Sequence, residues 1–72
     1  MLKGTRQAVV HRIQPVSIHG QVSLDVFWQD PEDTEQEIRH ARVGDDAVPR
    51  NLQPGDKVTL HYLMGMVTQI TK

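Results

Sequence analysis

Between Gln21 and Trp28 the chain alternates without a fault. Val22, Leu24, Val26 and Trp28 fall on one side, and Ser23, Asp25 and Phe27 on the other. Side chains two positions apart share one face of a strand, so this segment predicts a half-buried β-strand with its apolar side on a core. A second run of the same kind follows the Pro54-Gly55 turn. There Val58, Leu60 and Tyr62 alternate with Thr59 and His61, which predicts a strand over residues 57–63.

The remaining segments are less regular. In residues 6–13, Ala8, Val9, Val10 and Ile13 are too close-set for strict alternation, the mark of a strand with a bulge. Pro15 has no amide donor and predicts the end or an edge of that strand, and His19-Gly20 predicts a turn. Residues 30–43 fit two shapes. As a helix, Asp30 would cap, Pro31 would take the first turn, and Arg39, His40 and Arg42 would meet the negative end of the macrodipole before Gly44. That helix would bury only Ile38, Ala41 and a marginal Val43, too narrow a stripe for a domain short of apolar contacts. A hairpin is the better reading, with residues 30–33 as its turn and 35–43 as the returning strand. Gly44-Asp45-Asp46 then breaks the chain, and residues 47–53 form a loop with room for one helical turn. Gly65 permits a tight turn before a last strand carrying Met66, Val67 and Ile70 to Lys72.

Five strands with one longer connection predict an all-β fold. Its form is a single five-stranded barrel of the OB or SH3-like kind over residues 1–72, with Val10, Ile13, Val22, Leu24, Val26, Val58, Leu60, Tyr62 and Ile70 in the core. A chain of 72 residues buries only about 60% of its unfolded surface, so that core is thin. With no cysteine, neither a disulfide nor a thiolate metal site can reinforce it. Self-association would supply further burial. The charged opening from Met1 to Gln7 leads into no apolar run, and no segment approaches the roughly 20 apolar residues that span a bilayer. No membrane insertion is expected. The compartment is unknown, cytoplasmic by default, and a soluble part of an envelope protein would look the same.

The order of Gly4-Thr5 with Ala8 and Val10, the Val22-x-Leu24-x-Val26 strand and the Arg42-Val43 strand end continues into Leu52-x-Pro54-Gly55-Asp56-x-Val58-x-Leu60-x-Tyr62 and a closing Val67-x-x-Ile70. This order resembles small bacterial β-barrel domains of unknown function, often found in cell-envelope or membrane-attached proteins. The resemblance covers nearly the whole chain. It implies a barrel and carries no catalytic residues.

Charge narrows the choice of partner. The formal net charge of -1 gives no general attraction for nucleic acid or anionic lipid. Asp30, Glu32, Asp33, Glu35 and Glu37 crowd one stretch, while Lys3, Arg6 and Arg12 lie before it and Arg39, Arg42 and Arg50 after it. A folded barrel would therefore show an acidic tip and a mildly basic flank.

Three constellations remain. The four histidines are scattered, but adjacent first and fourth strands would let His11 and His61 approach on the outer face, with Asp25 as a third ligand. Single-stranded nucleic acid would need a stacking platform in a basic groove, for which Phe27 is the exposed aromatic and Arg6, Arg12, Arg39 and Arg42 are the cations. A protein partner or a second copy would use Phe27, the corner carrying Met64 and Met66, and the open edge beside Pro15. If arginines surround Phe27, the nucleic-acid reading gains; if Val and Met side chains ring it, the protein reading gains. Catalysis has no support in the residues. There is no cysteine, Ser17 and Ser23 lie outside any histidine and acid pattern, and the glycines are too isolated to cradle phosphate. The sequence thus predicts a non-catalytic binding module without a cofactor, most simply for protein, with nucleic acid as the alternative and a histidine metal site third.

Overall fold

The computed structural model describes residues 3–72, so Met1 and Leu2 of the charged opening segment lie outside the described residues. The chain is all-β. Strands β1 (Lys3–Ile18), β2 (Gln21–Gln29), β3 (Ile38–Gly44), β4 (Lys57–Leu63) and β5 (Met66–Thr71) form one antiparallel sheet in the order β3-β2-β1-β4-β5. A single 3-10 turn, Asp45–Ala47, links β3 towards β4, just ahead of the loop where a helical turn is expected. Among the described residues, no helix is long and apolar enough to cross a membrane.

Strand β1 organises the sheet, because its first half pairs with β4 and its second half with β2. It runs well beyond residues 6–13, and Pro15 sits within it, opposite Leu24. The reason is local. Strand β4 begins at Lys57, opposite Val9, so past that point β1 has a strand on one side only and tolerates a residue without an amide donor. The expected bulge is present: Val10 pairs with Trp28 and Arg12 with Phe27, leaving His11 as the extra residue.

Residues 30–43 adopt the hairpin. Asp30 accepts from the Glu32 amide at 2.9 Å and Asp33 from the Glu35 amide at 2.9 Å, two local turns that hold the backbone away from the ladder. The returning strand therefore starts at Ile38 rather than at residue 35. The other two hairpins close tightly. His19 and Gly20 have φ of 52° and 79°, and Met64 and Gly65 have 55° and 81°, the left-handed pair that a two-residue turn needs. At Gln53-Pro54-Gly55-Asp56 the Asp56 amide donates to the Gln53 carbonyl at 3.1 Å with Gly55 at φ 92°, a type II turn. Gly55 and Asp56 then bond to both backbone groups of Val10, at 2.7 and 2.9 Å, pinning the turn beside the bulge.

Ala8, Val10, Val26, Trp28, Val43, Val58, Leu60 and Ile70 are buried, and they come from all five strands. Of the expected core, Ile13, Leu24 and Tyr62 are half-buried against this cluster, and Val22 is not part of it. Val22 is 46% exposed. Strand β3 reaches only as far as Ser23 and β4 only to Val9, so the tip of the β1–β2 hairpin projects as a bare two-stranded arm. Val22 lies on the core-facing side of that arm, where nothing covers it. At the other extreme of the sheet, β3 and β5 come into contact along a seam and form no ladder with each other.

Candidate functional site

The outer face of β1, β2 and β3 carries two cross-strand rows. In the first, Arg12, Phe27 and His40 stand opposite one another. The Arg12 guanidinium lies 4.3 Å from the Phe27 ring centre, and the His40 ring stacks on Phe27 at 5.3 Å with 28° between the planes. Phe27 is consequently half-buried and not the open platform that alternation predicts. The bulge causes this, since removing His11 from the register brings Arg12 opposite Phe27. In the second row Arg42 grips Asp25 through two hydrogen bonds, at 2.8 and 3.2 Å. That fork holds the Asp25 carboxyl below its ordinary range and raises Arg42 above its own.

A different set of residues meets at the β4–β5 turn. Arg6 and Arg39 both belong to the core-facing side of their strands, opposite Leu60 and Trp28, but they lie at the end of the sheet where the core gives way to solvent. Together with Lys3, Gly4 and Tyr62 they line a mouth of about 470 Å³. The mouth shares Arg39, Tyr62 and Gly65 with a cleft of about 460 Å³ along the seam, walled by Trp28, Ala41 and Arg42 on one side and Met66 and Val67 on the other. The cations there have loose partners: Arg6 approaches the half-buried Asp30 at 4.0 Å, and Arg39 holds the exposed Glu37 at 3.3 Å. The acidic tip and basic flank are thus adjacent, and each partly neutralises the other.

Trp28 is the least expected member. Its side chain is buried, yet the indole Nε1–H has no acceptor among the described residues. Buried indoles ordinarily place that donor, so the wall of this cleft contains an unmet hydrogen bond. Alternation assigns Trp28 to the core face and says nothing of its polar edge. A tryptophan at the strand end, one step from the acidic loop, was the available signal.

The predicted site residues therefore divide. Arg39, Arg42 and Met66 line the seam, Arg6 joins Arg39 at the mouth, and Arg12 goes with Phe27 on the outer face. Met64 is exposed in the β4–β5 turn, 69% accessible. His11 and His61 are not brought together. His61 pairs with Thr5, so His11 stands six positions further along β1, about 20 Å away at roughly 3.3 Å per residue. His61 instead shares a 2.9 Å hydrogen bond with Thr71, and Asp25 is engaged by Arg42. Among the described residues, no group of three histidine, cysteine or carboxylate side chains is placed to hold a metal ion. A cleft of about 510 Å³ between the 46–51 loop and the end of β5 gathers none of the predicted residues.

Comparison of the chain with protein-family models, with curated proteins and with solved structures finds no match.

Proposed function

We propose that this domain is a non-catalytic binding module that takes a protein partner at the seam between β3 and the β4–β5 hairpin. One observation carries the reading: Arg39 and Arg42 of β3 and Met66 of β5 line one cleft with Trp28 and Tyr62 where two strands turn unpaired edges toward each other. Open strand edges and adaptable methionines are the usual means by which a small sheet acquires a partner. The reading includes a barrel of the OB kind. Its support is the long β1 shared between a three-stranded meander and a hairpin, with the two outermost strands in contact.

The test is capture by the immobilised domain from nuclease-treated lysate, run beside a Met66→Glu variant. Wild type is expected to retain proteins that the variant loses. Equal capture by both, or loss of every partner on nuclease treatment, would overturn the reading.

A second reading rests on the outer face, where Arg12 and His40 both stack on Phe27. Stacked π-systems beside a cation are what a single-stranded nucleic acid uses. Of the predicted arginines only Arg12 packs on Phe27, and Arg42 on the same face is held by Asp25, which leaves a weak field for phosphate there. Retardation of a labelled single strand at low salt, abolished by Arg12→Ala, would move the function to this face.

A further inference from the structure

We propose that the partner seated in the seam is an extended, acidic peptide segment of another protein, bound with its backbone along the free edge of β3 and its carboxylates at the Arg6 and Arg39 mouth. The proposal rests on the protein-binding reading above and names the chemistry of the ligand.

Three observations point to it. The first is charge: Lys3, Arg6 and Arg39 converge on one mouth. The second is the floor between them, where Trp28, Ala41, Tyr62 and Val67 offer apolar contact for every other side chain of a strand. The third is the buried Trp28 indole, a donor without an acceptor among the described residues in the wall of the same cleft. An incoming strand supplies what each lacks. Its carbonyl groups offer acceptors to the edge of β3 and, as the strand parts the seam, to the buried indole; its apolar side chains fill the floor, and its acidic side chains meet the arginines.

The existing ion pairs do not stand in the way. Arg39 with Glu37 is exposed to water on both sides and Arg6 meets Asp30 only at 4.0 Å, and such pairs exchange partners at little cost. A lysine-rich strand would instead bring like charge against Lys3, Arg6 and Arg39. An acidic strand displaces Glu37 into solvent and leaves Asp30 in its turn. Specificity here comes from what the rim repels as much as from what it attracts.

Trp28 is the one tryptophan of the chain, so its emission reports on the cleft directly. The probe is a short synthetic peptide alternating glutamate with valine, titrated into the whole chain beside a control alternating lysine with valine. The glutamate peptide is expected to shift Trp28 emission and the amide resonances of Ala41, Met66 and Val67, and to weaken as salt is raised. Arg39→Glu is expected to weaken it by about tenfold or more, since a like charge then faces the ligand. Arg39 is exposed, and an unchanged amide spectrum elsewhere shows that the variant folds. Equal binding of both peptides at the seam would overturn the acidic specificity while leaving a peptide site there. Binding of neither, or shifts confined to Arg12, Phe27 and His40, would overturn the proposal outright; the Met66→Glu capture result then judges the broader reading independently.

Discussion

Val22 and Val26 are the same residue on the same strand and the same face, yet one is 46% exposed and the other fully buried. Truncating each to alanine isolates what covers the face from what alternation assigns to it. At Val26 the loss is two methyl groups, about 1.6 kcal/mol at about 0.8 kcal/mol per group. Val26 is flanked by Ile13 on β1 and Ala41 on β3, so the backbone is held on both sides and the space cannot close. A persistent cavity raises the cost to about 2.5 kcal/mol. Val22 already meets water over nearly half its surface, and removing the same groups costs about 0.8 kcal/mol at most. The lower β-propensity of alanine enters both variants alike. A domain of this size is stable by about 4 to 11 kcal/mol, so the difference is a visible fraction of the whole. Urea unfolding with a common slope should show a midpoint far lower for Val26→Ala than for Val22→Ala, and melting should fall by about 10 to 20 °C against about 5 °C or less. Costs within about 0.5 kcal/mol of each other would refute the bare-arm argument. If the Val22→Ala cost also grew with protein concentration, a second copy would be what covers the arm.

The turns offer sharper tests of local conformation. Gly55→Ala forces a side chain onto φ 92° and should cost about 1 kcal/mol or more, read by thermal melting. Met64 holds φ 55° in a two-residue turn where asparagine is preferred, so Met64→Asn should stabilise by about 0.5 kcal/mol in the same assay. The Asp56 carboxyl is held below its ordinary value, first by the Gln53 amide at 2.8 Å and then by Lys72 at 3.2 Å. A depressed carboxyl stabilises the fold above its unfolded pKa of about 3.9 and loses that contribution as pH falls through the folded value; urea midpoints of wild type should therefore drop toward those of Asp56→Asn as pH falls below about 4. Zinc at equimolar concentration should leave the His11 and His61 ring resonances unmoved, because the two sit about 20 Å apart along β1.

Alternation proved a sound guide to faces and a poor one to coverage. It assigned Val26, Val58 and Leu60 to the core, and all three are buried. It gave Val22 the same standing, because periodicity records the side on which a residue lies and not whether another strand reaches over it. Ala8 and Val43 were left out of the expected core for the converse reason: neither falls in a clean alternation, and each is buried by strands remote in the chain. Pro15 was read as a strand end or an edge, and the edge is what it occupies. A proline ends a strand only where its missing donor is needed, and the one-sided stretch of β1 beyond Val9 does not need it. At the candidate site the individual residues were legible and their grouping was not. Which arginine joins Phe27 depends on a single extra residue at His11, and which join Met66 depends on β3 and β5 meeting across a seam that no local pattern encodes.

The distribution of unfavourable features is itself informative. A thin core leaves little stability to spare, and in such a chain polar satisfaction and turn chemistry should agree with the fold wherever nothing else constrains them. Most of this chain complies. Asp30 and Asp33 satisfy their turns, Asp56 closes its own, and Asp25 is matched by Arg42. The departures gather at one end. Met64 occupies a left-handed position better suited to asparagine, Met66 is 70% exposed on the adjoining strand, and the Trp28 indole lacks an acceptor in the cleft that Met66 helps to wall. Met64 and Met66 each have a conservative polar remedy, so neither is forced by the sheet. Costs that coincide in space are better explained by one cause than by three, and a strand that parts the seam covers Met66 and brings an acceptor to Trp28 at once. Stabilising substitutions at Met64 and Met66 should then trade against partner affinity, whereas the same gain in stability won at the Val22 arm should leave affinity untouched.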